Sequence, residues 1–295
     1  MEINLRKITL EDKAEIDCIL KVSDRRFCEY TFGNMFCWGS AFGLEVSVSN
    51  GVLVFGYPKE EKFYMPVGDR AAVCKALGAL CAEYPKLSLM SLSEKDCALL
   101  ENTFAGKFTF SEDTRAFDYI YESEKLRSLS GKKLAAKRNH INAFLSEGNW
   151  HVEKITDSSA RKLLEFNKSW CKNLCGGISR SLSSELCAAE RGITYFSALG
   201  FSGIMLYKDG RLVAYSYGEP INGDTFCVHV EKADSEVRGA YQMINREFAR
   251  TFCENYQYIN REDDSGDEGL RKAKLSYCPT DIGKKFRAKS KEEQS

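Results

Sequence analysis

The alternation of apolar and polar positions predicts a similar succession of strands and helices in both halves of the chain. In the first half, strands Leu44 to Val48 and Val52 to Phe55 flank Asn50-Gly51, a dipeptide typical of two-residue hairpin turns because both positions need positive φ. Thr9 followed by Asp12 indicates the start of an earlier helix. Further strands are predicted at 63–67, 87–91 and, once or twice, within 108–121, with helices at 70–84 and 94–104.

The second half repeats this order. Asp209-Gly210 predicts a hairpin between strands 203–208 and 212–218, and a third strand follows at 225–230. The remaining predicted strands are 150–155 and 256–260, and the predicted helices are 157–175, 184–199, 239–254 and 267–275. We interpret the chain as an α+β protein with mixed, mainly antiparallel sheets flanked by helices. Charge and serine replace the apolar pattern at 122–131, so we expect two tandem domains, 1–125 and 126–295.

The charge balance and the lack of long apolar runs argue against several classes of protein. Lysine plus arginine equal aspartate plus glutamate at 42 each in 295 residues, so no net field draws the whole protein to nucleic acid or an anionic membrane. Glu2, Arg6 and Lys7 occupy the region where a signal peptide needs an apolar run, and no stretch approaches about 18 uncharged apolar residues. We therefore expect a cytoplasmic protein without integral membrane contact.

The cysteines predict no metal site. Twelve are scattered along the chain without a Cys-x-x-Cys pair, and free cysteines in apolar segments are expected to act as small core residues. Cys171 and Cys175 would stack on one helical face beside Gly176-Gly177. Because no histidine pair accompanies them, we interpret them as structural.

Charged residues follow two neighbouring strands of the second half. Glu231 and Asp234 end one strand, and the segment after the next strand contains Arg261, Glu262, Asp263 and Asp264. Ligands of layered α/β structures collect beyond the carboxyl ends of strands, so these side chains are expected to converge on one binding site.

Three segments together carry a resemblance to a known family. They are GKKLAAKRNHINAFLSEG (131–148), the strand end Glu231-Lys232-Ala233-Asp234, and INREDDSGDEGLRKAKLSY (259–277). Over nearly its whole length the chain resembles the bacterial family named after the cytosolic C-terminal domain of phosphatidylglycerol lysyltransferase. The resemblance implies two fused domains of the GNAT (N-acetyltransferase-like) fold, which acetyltransferases share with aminoacyl-tRNA-dependent transferases.

The GNAT resemblance also implies an anion site at a glycine turn, where backbone N–H groups at a helix start bind pyrophosphate. The matching turn contains Arg238 and one glycine, Gly239, and it places Glu236 where a phosphate would lie. Coenzyme A is therefore expected to bind weakly, and aminoacyl-tRNA is favoured as the donor. The alternative is that Arg238-Gly239 only begins a helix.

Acyl transfer needs a base for the incoming nucleophile and an acid for the leaving group. Glu231 is the candidate base, since Cys227, His229 and Glu231 alternate on one strand face; a structural ion pair is the alternative. Tyr277 stands where the resemblance implies a tyrosine acid, or it anchors a core edge. Asp263 and Asp264 would hold a cationic amino acid or cap a helix.

A basic run precedes the second domain's first strand. No acidic residue lies between Glu124 and Glu147, and the apolar residues Leu134, Ile141 and Phe144 share one helical face. The cations expected to contact phosphate or RNA are Lys132, Lys133, Lys137 and Arg138. A merely solvated helix face is the alternative.

These observations predict an acyl- or aminoacyltransferase whose site lies in the second domain. Aminoacyl-tRNA and coenzyme A esters both remain as the small-molecule or aminoacyl donor, with an amine or hydroxyl acceptor and tRNA as a partner. The competing class is a non-catalytic ligand- or RNA-binding protein in which Glu231 belongs to a sealed ionic network. An open cavity at Glu231 distinguishes the two classes.

Overall fold

Two seven-stranded sheets form the framework of the part of the chain that the structure describes. The structure is a computed structural model, and it describes residues 2–172 and 180–291 of the 295. Cys175, Gly176 and Gly177 lie outside the described residues, as does the end of the helix predicted at 157–175. The strands are β1 (Arg6–Lys7), β2 (Glu45–Ser49), β3 (Val52–Tyr57), β4 (Lys62–Tyr64), β5 (Ser88–Leu92), β6 (Phe108–Glu112), β7 (Asp118–Glu122), β8 (Trp150–Lys154), β9 (Ser202–Lys208), β10 (Arg211–Pro220), β11 (Thr225–Ala233), β12 (Tyr258–Asn260), β13 (Asp281–Gly283) and β14 (Phe286–Ser290).

Helices cover both sheets. They are α1 (Lys13–Lys21), α2 (Phe32–Phe42), α3 (Arg70–Glu83), α4 (Glu94–Thr103), α5 (Ser123–Ser128), α6 (Ala135–Ser146), α7 (Ala160–Lys172), α8 (Arg180–Thr194), α9 (Phe196–Leu199), α10 (Ala240–Phe252) and α11 (Glu268–Leu275). The first sheet has the order β1-β2-β3-β4-β5-β14-β6 and the second the order β13-β7-β12-β11-β10-β9-β8. Only the neighbours β4/β5 and β11/β12 are parallel among these strands. The predicted α+β class is confirmed.

Local turn chemistry produced the predicted hairpins. Asn50 and Gly51 have φ values of 51° and 73°, and Asp209 and Gly210 have 48° and 77°. Both turns therefore hold two consecutive left-handed residues, as two-residue hairpins require. The capping signal is also confirmed: the Asp12 carboxylate accepts the Thr9 backbone N–H at 2.7 Å, directly before α1.

The two sheets exchange strands at their edges. β7 was expected among the closing strands of the first half, but it lies between β13 and β12 of the second sheet. β14, near the end of the chain, lies between β5 and β6 of the first sheet. The boundary at residues 125 and 126 stays a prediction, because neither sheet is built from one side of it alone.

A shared core fills the space between the halves. Phe32, Met35 and Phe36 of α2 pack in one buried cluster with Tyr215 and Tyr217 of β10. α2 also packs along α8, where the Arg191 guanidinium lies over the Phe36 ring and donates to its backbone oxygen at 3.0 Å. The two halves therefore bury apolar surface against each other, and the cavity described next opens beside this contact.

Candidate functional site

A cavity of about 900 Å³ lies between the two halves of the chain. β11 lines it with the segment Val228 to Lys232, and the loop after β12 adds Arg261, Glu262 and Asp263. The first half contributes side chains that include Glu29 and Asn34. Residues far apart in sequence thus surround one space that is lined by polar and apolar side chains, the usual composition of a small-molecule site.

Glu231 lies in this cavity within an incompletely paired network. Its Oε1 accepts Nη2–H of Arg261 at 2.8 Å, and its Oε2 accepts Nδ2–H of Asn245 at 2.8 Å. Among the described residues, Nη1 of Arg261 and Oδ1 of Asn245 are buried and have no hydrogen-bond partner. Buried polar atoms are nearly always paired, so this network is incomplete, and of its two unpaired residues Arg261 lines the cavity.

Tyr277 lies beside the same arginine. The guanidinium carbon of Arg261 is 4.8 Å from the centre of the Tyr277 ring, and Nζ of Lys137 is 4.2 Å from it. Burial raises the pKa of Tyr277 well above its ordinary value, although Arg261 opposes the shift. Burial also lowers the pKa of Lys137, and Arg261 lowers it further. The phenol therefore keeps its proton at neutral pH, as a proton donor must.

The predicted acidic residues separate into different environments. Glu262 pairs with His229, and Asp263 lines the cavity. Asp264 is buried, accepts the Tyr119 hydroxyl at 2.6 Å and pairs with Arg271. Asp264 thus fixes the loop after β12 to β7 and α11. Asp234 lines a second space instead and pairs with Arg211.

That second cavity has a volume of about 510 Å³. It is lined by Lys162, Arg211 and Asp234, among others, and it shares Trp170 and Tyr241 with the first cavity. The indole Nε1–H of Trp170 donates to the Tyr241 hydroxyl at 3.3 Å. Two side chains therefore form the wall between two open spaces.

The predicted phosphate turn at Arg238 and Gly239 lines neither cavity, although the flanking Ser235 and Tyr241 line the second one. Gly239 has φ of 83°, and a Cβ there would overlap the backbone oxygen of His140 and approach Cβ of Phe144 to 3.0 Å. The glycine therefore lets α6 pack against the start of α10. Arg238 is exposed and lines neither cavity.

The four predicted phosphate-contacting cations lie in different environments. Lys132 and Lys133 are exposed outside the cavity, whereas Lys137 enters it. Arg138 donates to the backbone oxygens of Leu129 and Gly131 at 2.5 and 2.8 Å. The signal for Lys137 was present in the sequence, since Leu134, Lys137, Ile141 and Phe144 form one helical stripe.

Sequence reasoning missed the role of His229. Its Nδ1 lies 2.8 Å from Oε1 of Glu262, and its Nε2 lies 3.0 Å from Oε1 of Glu219. Burial disfavours the charged ring, but Cys227, Glu219 and Glu262 raise the pKa of His229 well above its ordinary value. Strand alternation predicted that His229 shares a face with Glu231, but both carboxylate partners come from other elements, which alternation does not indicate.

Two buried lysines were also missed. Nζ of Lys274 donates to the backbone oxygens of Arg261 and Asp263, and burial lowers its pKa. Nζ of Lys232 lies 3.7 Å from the Trp170 ring centre and 2.6 Å from Oε1 of Glu185. Lysine is rarely buried, so the residue type gives no sign of this position, and only the packing shows that both line the cavity.

The described residues contain no candidate membrane-spanning helix. None of their helices combines the length and apolar character that a transmembrane span requires.

Several solved structures have a similar fold. A conserved protein of unknown function from Bacteroides thetaiotaomicron has a solved structure that matches with a TM-score of 0.89 and 37% identity, over 98% of this chain and 100% of that one. L-PGS from Bacillus licheniformis matches with a TM-score of 0.67 and 16% identity, over 100% of this chain and 95% of that one. The GNAT-like fold that the resemblance implied is confirmed.

Sequence comparison agrees. A curated relative, an uncharacterized protein of Mycoplasmoides gallisepticum, is 30% identical over 186 residues, which are 58% of this chain and 56% of the relative. The chain thus spans 56% of the length of the curated relative that it matches. The family model described as phosphatidylglycerol lysyltransferase, C-terminal, matches residues 20–289. This protein therefore belongs to the family of phosphatidylglycerol lysyltransferase C-terminal domains.

Proposed function

We propose that this protein is an aminoacyltransferase that takes an amino acid from aminoacyl-tRNA and passes it to an amine or hydroxyl acceptor. One observation carries the proposal: Glu231 faces an open cavity of about 900 Å³ inside a polar network that is not fully paired. A structural ion pair is expected to be sealed and satisfied. The arrangement around Glu231 is neither, which favours a ligand site over a purely structural network.

The second cavity supports a reaction with two substrates. A transferase must bind a donor and an acceptor together, and the cavities of about 900 and 510 Å³ meet at Trp170 and Tyr241. Lys162 and Arg211 line the smaller space together with the acids Glu165 and Asp234, so it offers charged groups of both signs. We assign the larger space to the aminoacyl end and the reaction centre, and the smaller one to the second substrate.

The residues around Arg261 supply the two proton transfers that the reaction needs. The acceptor nitrogen or oxygen attacks the ester carbonyl carbon and forms the new bond, while its proton passes to the Glu231 carboxylate. The ester C–O bond breaks, and the leaving ribose oxygen takes the Tyr277 proton. Glu231 then returns its proton through solvent to Tyr277. Each Glu231 oxygen keeps a free lone pair, because its present hydrogen bond occupies only one.

The donor follows from where the cations lie. The turn at Gly239 packs against α6, so its backbone is not arranged to bind a coenzyme A pyrophosphate. Lys137 and Arg261 line the cavity beside several carboxylates, so a phosphate of the tRNA end can meet the cations while the carboxylates face the amino acid. Charged tRNA is a cytoplasmic donor, and we therefore propose the cytoplasm as the place of the reaction.

The test uses aminoacyl-tRNA carrying labelled amino acids, with phosphatidylglycerol vesicles and small amines offered as acceptors. We expect label to leave the tRNA for one acceptor, and Glu231→Gln to lower the turnover by about 10²- to 10⁴-fold with the donor Kd unchanged. Glu236→Gln is the matched control, since Glu236 is exposed and lines neither cavity. A Glu231→Gln protein with full transfer activity and a lowered Tm would move Glu231 to a structural role. Turnover with acetyl-coenzyme A alone would favour a plain acetyltransferase.

Donor binding is tested separately through the basic helix. Lys137→Met is expected to weaken tRNA binding and reduce its salt dependence, because one fewer counterion is released on contact. Lys132→Met serves as the control, since Lys132 lies outside the cavity. Equal affinities of both variants would remove Lys137 from the donor site.

A further inference from the structure

Three side chains with metal-binding atoms converge at the wall of the larger cavity. Sγ of Cys227, Nδ1 of His229 and Oε1 of Glu262 all lie within 4.8 Å of one another. Cys227 and His229 point to the same face of β11, and Glu262 follows the neighbouring parallel strand β12. The ligand atoms therefore come from the interior of one strand and from the loop that follows its neighbour.

The spacing suits tetrahedral zinc. Ordinary zinc bond lengths place a sulfur about 3.6 Å from a nitrogen or oxygen ligand, and a nitrogen about 3.4 Å from an oxygen ligand. Sγ of Cys227 is 3.6 Å from Nδ1 of His229 and 3.8 Å from Oε1 of Glu262. Nδ1 and Oε1 are 2.8 Å apart. A small outward movement of Glu262 completes the geometry.

The surroundings of His229 match those of metal-bound histidines. Such a histidine usually donates its other ring N–H to a carboxylate, which fixes the ring and its tautomer. Here Nε2 of His229 lies 3.0 Å from Oε1 of Glu219, and Glu219 accepts the Gly33 backbone N–H at 2.9 Å. Glu262 is held with φ of 56°, a conformation that non-glycine residues adopt at a cost and that occurs often at functional sites.

A second group of metal-binding atoms lies nearby but already holds a cation. Cys28, Asp118 and Asp263 also lie within 4.8 Å of one another. Nζ of Lys285 is 2.8 Å from Oδ1 of Asp118 and 3.7 Å from Sγ of Cys28. The lysine ammonium occupies the position that a metal would need, so this group is excluded.

We propose that Cys227, His229 and Glu262 bind one zinc ion, with the fourth coordination position open to the cavity. His229 and Glu262 line the cavity, and a thiolate, an imidazole and a carboxylate are the donors that zinc accepts. Binding displaces the Cys227 thiol proton and the His229 Nδ1 proton, so the charge of the cluster does not change. The ion would lie two strand positions from Glu231, and the proposal does not depend on the transfer reaction.

The experiment measures metal on the full-length protein after chelator treatment and readdition of zinc. We expect one zinc per chain by elemental mass spectrometry, and a cobalt–thiolate charge-transfer band after replacement by Co²⁺. Cys227→Ala should lose the band, whereas Cys253→Ala should keep it, because Cys253 is equally buried and lies elsewhere. A band that survives Cys227→Ala, or a wild-type protein without bound metal, would overturn the proposal.

Two further variants guard against a loss of folding. Glu262→Gln should keep the thiolate band but weaken zinc binding, since the partly exposed side chain keeps its volume and loses its charge. Glu219→Gln should lower zinc affinity about 10- to 100-fold with the stoichiometry kept, as expected for a residue that positions a ligand. Unchanged zinc affinity in both variants would contradict the assigned geometry.

Discussion

The Lys285 ammonium is buried where the two sheets meet, and its removal should be costly. Nζ lies 2.8 Å from Oδ1 of Asp118 on β7 and 2.8 Å from Oε2 of Glu29. Neither the Lys285 nor the Asp118 side chain has exposed surface. Lys285 immediately precedes β14 in the first sheet, whereas Asp118 belongs to the second. The ion pair therefore connects the two exchanged strands.

The expected loss of stability in Lys285→Met depends on how well the buried Asp118 carboxylate stays hydrogen-bonded. Asp118 would stay buried without a cation, although it keeps donors from the Cys28 backbone and Asn260. Breaking one side of a buried ion pair typically lowers the free energy of unfolding by about 3–5 kcal/mol. These donors, together with the Cys28 thiol 3.4 Å from Oδ1, stabilise the carboxylate, so we expect a value near the lower end, about 3 kcal/mol.

Urea unfolding followed by circular dichroism measures this loss. Lys284→Met is the matched control, because the neighbouring lysine is exposed and its replacement should change stability by no more than about 0.5 kcal/mol. Adding Asp118→Asn to Lys285→Met should recover part of the loss by removing the uncompensated charge. Equal unfolding midpoints for the two lysine variants would refute the reasoning.

Two further predictions concern packing and pH. Gly239→Ala should lower stability by about 2–4 kcal/mol through its positive φ and its overlap with His140, whereas Gly223→Ala, which faces open space, should be nearly neutral in the same unfolding assay. Asp12→Asn should destabilise at pH 7 but not at low pH. The hydrogen bond from Arg6 holds the pKa of Asp12 below its usual value against the effect of burial, so its stabilisation exists above the unfolded pKa of about 3.9 and disappears as pH falls through the folded pKa. A pH-independent deficit in thermal unfolding would contradict this assignment.

Part of the candidate site followed from the sequence. Glu231 and Arg261 were expected to meet because each follows a strand, and they lie 2.8 Å apart. Lys137 was expected on the solvent side of its helix, but its place in the apolar stripe turns it toward Tyr277. Helical periodicity decides such a position more reliably than the identity of the residue does, since long cationic side chains can lie along apolar surfaces.

The candidate metal ligands could not be found from the spacing of residues in the sequence. The sequence contains no Cys-x-x-Cys pair and therefore predicted no metal site. The candidate ligands Cys227 and His229 are two residues apart on β11, and Glu262 follows the neighbouring strand β12. Alternation predicted that Cys227 and His229 share a face, but it contained no information about Glu262 or Glu219. Those contacts depend on which strands pair with β11.

The sequence by itself determined the hairpins, most helices, the α+β class and the family, because turn chemistry, periodicity and motif residues act over short distances along the chain. The tertiary structure alone decided the exchange of β7 and β14, the burial of Lys232, Lys274 and Lys285, and the meeting of both halves around Glu231. Strand pairing and charge burial depend on partners far apart in sequence. These contacts stabilise the protein only when the complete fold brings the partners together and excludes water.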